Sequence, residues 1–191
     1  MKVTSLVWIL LVLVPSIAAA QVSTPVPNRP GTVILEVAAE DFDIAWRQEY
    51  LYLKVLSDGA AECQIVKRKS GDMRFEKADI VPVKRSLSEA ELRQLQALLA
   101  QDDISRLEST YRQRIALMLD AGTAWNIRIP RMNRTQEIHV VAFAPDAAKA
   151  QKRPYPTALL SLGCTIEKLR GETIGQNADT EDECRKVLPT Q

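Results

Sequence analysis

TAWNIRIPRMNRTQEIHVVAF, residues 123–143, is the stretch whose reading decides the fold. Trp125, Ile127 and Ile129 alternate with Asn126 and Arg128, the period of two that marks a strand with one buried face. Asn133 and Arg134 supply a polar turn, and Glu137–Phe143 returns as a second strand. That return strand places Ile138, Val140 and Ala142 on one face and His139, Val141 and Phe143 on the other. A strand apolar on both faces implies that the second face is partly covered too.

Upstream, Thr32–Ala38 is rich in β-branched residues and reads as a strand. In Glu40–Trp46 the residues Phe42, Ile44 and Trp46 alternate as if one face were buried. Tyr50, Tyr52 and Lys54 interleave with Leu51, Leu53 and Val55, and Asp58-Gly59 then offers the positive φ of a tight hairpin turn. Ala61–Val66 is the returning strand and contains Cys63. A charged loop over 67–77 leads to Ile80, Val81 and Val83. Pro82 removes a ladder donor, so that strand belongs at a sheet edge or is broken there.

Ser88–Leu99 is the clearest helix. Ser88 with Glu91 makes a capping box, and Leu87 with Leu92 a hydrophobic staple. Leu92, Leu95, Leu98 and Leu99 form the apolar stripe of a core-facing helix. Over 102–122, Leu107, Tyr111, Ile115, Met118 and Leu119 fit one helical face, against which Ser109 and Thr110 speak. After a polar, basic loop (145–153), Thr157–Arg170 reads as a second good helix, with Leu159, Leu162, Ile166 and Leu169 on one face. Gly171 is placed to cap it, and Lys168 and Arg170 suit its negative end.

Residues 1–20 have the layout of a secretory signal: Lys2, the apolar run Leu6–Val14, and Ala18-Ala19-Ala20 before Gln21. A spanning helix needs ~20 apolar residues, and Pro15 and Ser16 interrupt this one first; an uncleaved N-terminal anchor is the rival reading. Residues 21–31, with Pro25, Pro27 and Pro30, read as an extended linker. A single domain is expected over 32–171, and an acidic, polar tail over 172–191, loose unless Cys184 ties it down. Loss of Lys2 with the leader leaves equal numbers of basic and acidic residues. That neutrality argues against a general nucleic-acid binder.

The three cysteines are Cys63, Cys164 and Cys184. In an oxidising compartment they imply one disulfide and one leftover thiol. Cys164–Cys184 closes the shortest loop and is favoured, with the two pairings that use Cys63 left open. Cys63 itself reads as buried or bridged, since no neighbouring pattern lowers its pKa. With no C-x-x-C, and with His139 remote from every cysteine in sequence, neither a metal site nor a cofactor is expected.

Asp58-Gly59, Ala61-Glu62-Cys63, Leu87-Ser88-x-x-Glu91-Leu92, the Trp125-x-Ile127-x-Ile129 hairpin and Tyr155-Pro156-x-x-Leu159-x-x-Leu162-Gly163-Cys164 follow one another in that order. This order resembles a set of small exported bacterial proteins grouped as a domain of unknown function, over roughly Tyr50–Arg170. The resemblance implies an envelope setting and an α+β fold, and it brings no activity and no catalytic residue.

His139 is the sole histidine and so the natural base for any chemistry near neutral pH. Asp120, Asp146 or Glu137 are candidates to orient it, and Ser105 or Ser109 to act as nucleophile, without any G-x-S-x-G or H-E-x-x-H spacing to join them. Arg128, Arg131 and Arg134, with Lys149, Lys152 and Arg153 in the next loop, suggest an anion- or partner-binding edge. The plainer reading is a charged hairpin tip that discourages edge-to-edge association. Asp102, Asp103 and the Glu40, Asp41 and Asp43 group read as caps and solvated loop residues, because adjacent acids point to different sides.

The expectation is therefore one α+β domain: a mainly antiparallel sheet of about five strands with two packed helices. Its leading function is that of a non-catalytic, exported binding domain, periplasmic or extracellular, with an envelope component or protein as partner and no membrane span after signal cleavage. The alternatives are a hydrolase using His139 and a secreted enzyme inhibitor.

Overall fold

The computed structural model describes residues 31–43, 47–67, 78–112, 121–146, 154–176 and 181–188. The leader, most of the linker, Ile44 and Trp46, the 68–77 loop, Asp120 and the 147–153 segment lie outside them.

Long β-branched and aromatic runs form the strands, and they assemble around β1 (Val33–Asp43). β2 (Arg47–Leu56) and β6 (Ala121–Pro130) flank it, each antiparallel to it. β3 (Ala60–Lys67) returns from β2 through a turn in which Gly59 takes a φ of 87°, the conformation that Asp-Gly is chosen for. β4 (Asp79–Ser86), β7 (Thr135–Val141) and β5 (Thr110–Arg112) complete a seven-stranded sheet in the order β4-β3-β2-β1-β6-β7-β5. Five of the six neighbouring pairs are antiparallel; β5 runs parallel to β7. The α+β class and the mainly antiparallel sheet stand, while the strand number exceeds the expected five. Pro82 lies on edge strand β4, as expected of a residue without a backbone N–H.

Four helices occur among the described residues, not two: α1 (Glu89–Leu99), α2 (Asp102–Ser105), α3 (Thr157–Ile174) and α4 (Glu181–Val187). α3 lies across β2, β3 and β4 and touches the other three helices. Leu159, Leu162, Ile166 and Leu169 enter one core with Leu35, Val37, Leu53, Val55, Ile127, Ile138 and Leu95. Full burial of such side chains contributes on the order of 1.5–3 kcal/mol each, far more than any surface charge pair here.

Three local expectations need correction. The helical face drawn over 102–122 is not followed at Leu107 and Tyr111: the chain leaves α2, the Tyr111 hydroxyl accepts the Glu108 N–H at 2.8 Å, and Thr110–Arg112 joins the sheet, while Ile115, Met118 and Leu119 lie outside the described residues. Phe143 does not share a face with His139, because Ala142 takes a φ of 52° and turns the following ring onto Trp125, at 4.9 Å. Gly171 is not the C-cap. It is buried within α3, and Gly175, at a φ of 72°, ends the helix instead. The condition set for the tail is met at its described residues: the favoured Cys164–Cys184 bridge joins α3 to α4, and Val187 and Leu188 pack against the core. Cys63 is the free, buried thiol.

The Ser88 cap forms as its spacing requires. The Ser88 hydroxyl accepts the Glu91 N–H at 3.3 Å, and a Glu91 carboxylate oxygen accepts the Ser88 N–H at 2.7 Å. Hydrogen bonds from the Ser88 hydroxyl, then from its N–H, with help from Glu172 and Arg85, hold the Glu91 carboxyl down at about 2. Burial, and next the Glu91 carboxylate, push neighbouring Glu172 the other way. A carboxyl whose folded pKa lies below its unfolded value stabilises above the unfolded pKa. The Glu91 contribution is thus complete above pH 4.5 and is lost as pH falls toward about 2. Ser88→Ala is expected to cost about 1 kcal/mol near neutral pH and to flatten the acid limb of stability measured by urea unfolding. An acid limb unchanged in the variant would overturn this assignment.

The cross-link closes a loop with a sequence separation of 20 residues. Replacing both Cys164 and Cys184 by Ser is expected to lower unfolding free energy by about 3 kcal/mol on the chain-entropy account. The check is the urea midpoint of oxidised wild type against the double variant. Coincident midpoints would mean that α4 adds nothing to global stability.

Candidate functional site

The site begins with one extra residue. β1 and β2 pair Val37 with Leu53 but Ala38 with Leu51, so Tyr52 is the unpaired residue of a β-bulge. Beyond it the alternation of β2 reverses. Leu53 and Val55 face the core on one side of the bulge, and Tyr50 lies opposite the buried Ala39 on the other. Both tyrosines therefore turn toward α3. The Tyr52 hydroxyl donates to Glu167 Oε1 at 2.9 Å, and its ring lies 5.1 Å from Trp125. The Tyr50 hydroxyl donates to Asp41 Oδ1 at 3.2 Å, which the Thr123 hydroxyl also reaches at 2.8 Å.

The same bulge opens the β2–β3 ribbon, whose ladder holds only Lys54 opposite Glu62 and Val55 opposite Ala61. Side chains satisfy the backbone groups this exposes. The Leu51 N–H donates to Gln64 Oε1 at 2.7 Å. Arg170 reaches down from α3 and donates to the Tyr52 carbonyl at 2.5 Å and to the Gln64 carbonyl at 3.1 Å. Its guanidinium carbon sits 4.0 Å over the Tyr52 ring and 5.8 Å from that of Tyr50, within cation–π range. Arg170 is therefore not the exposed dipole partner that its place near a helix end implied.

Between the opened strands, β6 and the end of α3 lies a cleft of about 530 Å³. Asp41, Tyr50, Tyr52, Trp125, Phe143, Glu167 and Arg170 supply most of its chemistry, and Ile65, Val66 and Ile174 its aliphatic wall. Trp125 is only 4% exposed, with the Phe143 ring stacked on it at 4.9 Å. Phe143 in turn lies against Gly163, where any Cβ would come within 2.2 Å of the ring. A glycine in mid-helix is what lets the ring reach the helix backbone. Burial, and secondarily Asp41 for Tyr50 and Glu167 for Tyr52, push both phenol pKa values up. Both hydroxyls stay protonated at physiological pH and act as donors.

The residues singled out from sequence lie elsewhere. His139 sits opposite Asn126 on the sheet face away from Ile138 and Val140, with its Nδ1 2.7 Å from Asn126 Oδ1. Of its proposed companions, Glu137 pairs with Arg128 at 3.4 Å, Asp146 with Lys186 at 3.2 Å, and Ser105 bonds the Asp102 carbonyl at 2.6 Å; Ser109 is exposed. Arg128 also reaches Glu36 at 3.3 Å. Arg131 is turned inward: it donates to the Leu99 carbonyl at 2.6 Å and to Gln136 Oε1 at 2.8 and 3.1 Å, while Gln136 donates to the Ile104 carbonyl at 2.7 Å. That clamp ties the hairpin to the ends of α1 and α2, and burial lowers the Arg131 pKa. Arg134 is exposed at the tip, and Arg128 is exposed further down β6. The three arginines thus do not form one patch among the described residues; Lys149, Lys152 and Arg153 lie outside these. Asp102 and Asp103 are exposed in the first turn of α2, and Glu40 pairs with Arg47 at 3.3 Å. Asp41 is not a solvated loop acid but a wall of the cleft. Cys63 meets the Thr173 hydroxyl, and burial raises its thiol pKa.

Comparison with family models and with curated proteins finds no match. Among the described residues, no three or more His, Cys, Asp or Glu side chains stand together as a metal site. No described helix is long and apolar enough to cross a membrane, which with the disulfide is compatible with an exported protein.

If Arg170 closes the split ribbon, Arg170→Met leaves two strand carbonyls without their charged donor. The expected loss is about 3 kcal/mol, since hydrogen bonds from charged groups contribute about 1.5–3 each and do not add fully. Urea unfolding measures it. A loss below about 0.5 kcal/mol, the size of an ordinary surface substitution, would show that water serves those carbonyls equally well.

Proposed function

We propose that this chain is a non-catalytic binding domain exported to the bacterial envelope, and that its ligand sits in the cleft between α3 and the split end of the sheet. The observation that carries the reading is the cleft itself, about 530 Å³ and walled by aromatic rings with a few fixed polar groups. Small-ligand sites have that size. Its polar groups hold one another: Tyr52 with Glu167, and Tyr50 and Thr123 with Asp41. Such a site is shaped before the ligand arrives, which reduces the ordering cost of binding.

Binding suits this chemistry better than hydrolysis. A general base must lie within hydrogen-bond reach of its proton, and the sole imidazole is on the other face of the sheet. The phenols are held protonated, so neither serves as a base or nucleophile near neutral pH. Export rests on the leader-like N-terminus and the disulfide together.

The test immobilises the protein, passes an envelope extract over it, and identifies retained compounds by mass spectrometry. Ile174→Trp fills the cleft from its aliphatic side, while the pair Arg128→Ser with Arg134→Ser alters the hairpin tip and the open sheet face, away from the cleft. Retention is expected to fall at least tenfold in the first variant and to be unchanged in the second. Val66→Trp repeats the plug from β3 should the Ile174 variant be misfolded. Loss in the hairpin variant with full retention in both plugged variants would overturn the cleft reading.

A further inference from the structure

We infer that the ligand of this cleft is a neutral saccharide that stacks on the Tyr50 ring. This rests on the cleft being the binding site, and it follows from which groups of the lining still have hydrogen-bonding capacity to offer. Charge is the first constraint. Asp41, Glu167 and Arg170 all stand in the lining, and each is engaged within the protein. Tyr50 and Thr123 donate to Asp41, Tyr52 donates to Glu167, and both carboxylates have further interactions besides. Arg170 donates to the Tyr52 and Gln64 carbonyls. Carboxylates and guanidinium act on the two phenols with opposite sign. A cationic guest therefore meets Arg170 and an anionic guest meets Asp41 and Glu167, so either meets like charge in a partly desolvated cleft. A neutral guest meets neither.

Among neutral guests, the polar groups of the wall decide between a hydrocarbon and a polyol. Tyr50, Tyr52 and Thr123 have given their hydroxyl protons to the carboxylates, so each oxygen keeps its lone pairs as an acceptor. A guanidinium has five N–H bonds; two of those on Arg170 serve the strand carbonyls, and the others remain on a side chain that lines the cleft. Gln176, exposed just beyond the end of α3, adds an amide that both donates and accepts. A hydrocarbon would cover these groups unpaired, at about 1–3 kcal/mol for each one cut off from water. Sugar hydroxyls answer donors and acceptors alike. A sugar also needs a ring on which to stack. Trp125 offers no open face, since Tyr52 lies 5.1 Å to one side of it and Phe143 is stacked 4.9 Å away. Tyr50 is half-buried and lies 6.3 Å from Tyr52 at a tilt of 48°, with Arg170 5.8 Å from its centre and no ring stacked on it among the described residues. Its electron-rich face takes the C–H face of a pyranose, and the cleft volume of about 530 Å³ admits a disaccharide.

A glycan array carrying neutral, amino and acidic oligosaccharides is probed with the labelled full chain, and each retained glycan is titrated by calorimetry and tryptophan fluorescence. Neutral glycans are expected to bind saturably, with an affinity that added salt leaves unchanged. Tyr50→Ala is expected to weaken them at least about tenfold, and Tyr50→Phe, which keeps the ring, by less. Gln176→Ala, at an exposed position, is expected to weaken them at least about threefold and carries the test alone should the Tyr50 variants misfold. Retention of amino or acidic glycans only would overturn the inference, as would neutral-glycan binding indifferent to these variants. So would binding of the apolar probe N-phenyl-1-naphthylamine, lost in Ile174→Trp, with no neutral glycan retained. Should no glycan bind while extract compounds still depend on Ile174, the saccharide assignment falls and the cleft reading stands. Retention indifferent to Ile174 and Val66 removes both.

Discussion

The site end of this structure depends on one fork of hydrogen bonds, from the Arg170 guanidinium to the Tyr52 and Gln64 carbonyls. A buried carbonyl without a donor costs about 1–3 kcal/mol, so two strands cannot part inside a protein unless something replaces the ladder between them. Here a side chain from the covering helix does so, and Gln64 serves the Leu51 N–H from the other strand. With those groups satisfied, β2 is free to follow β1 while β3 follows β4. The space between them becomes a cleft in place of a packed core. The bulge, the arginine and the cleft form one device, and removing any part of it removes the reason for the others.

The two faces of the sheet are accordingly used differently. On the covered face, burial of Leu35, Val37, Ile127 and Ile138 against α1 and α3 supplies the driving force. On the open face, charges run in cross-strand pairs: Glu36 and Glu137 on either side of Arg128, and Glu62 beside Lys84 at 2.7 Å. Exposed pairs of this kind are worth only a few tenths of a kcal/mol; their use is to keep a wide sheet face from sticking to its own kind. His139 and Asn126 belong to that face. The one histidine is thus part of the surface that keeps the domain apart from others, and the reactive-looking residue is separated from the cleft by the thickness of a β-sheet.

How far the sequence discloses this depends on whether a feature has a period. Trp125, Ile127 and Ile129 repeat every second residue because one face of β6 is buried, so that strand is legible, as is the Ser88 helix with its stripe and box. β5 has three residues and takes its place from the neighbouring β7, so no pattern of its own distinguishes it from a helical turn. Ala142 adopts a left-handed conformation that nothing in its chemistry announces, and the facing of Phe143 follows from it. Gly171 and Gly175 each suit a helix end by composition; close packing decided which one remained inside. Where stability is set by packing between distant segments, a single sequence carries the residues and not the arrangement.

The cleft shows the same limit most sharply, and for a reason that bears on function. One inserted residue in β2 changes no composition and interrupts no apolar run, yet it turns Tyr50 and Tyr52 together toward α3. The only trace in sequence is on the helix: Glu167 and Arg170 flank the buried Ile166 and Leu169, where a helix covering a plain sheet carries apolar or small residues. Glu167 is 9% exposed, and burying a charge without recompense costs several kcal/mol. Charges kept at such positions are tolerated because Tyr52 and the split strands answer them. Once that exchange is in place the helix cannot slide along the sheet without breaking it. The polar contacts that shape the cleft therefore also fix the register of α3 over β2 and β3, which is why a binding site and a stable fold coexist at the same residues.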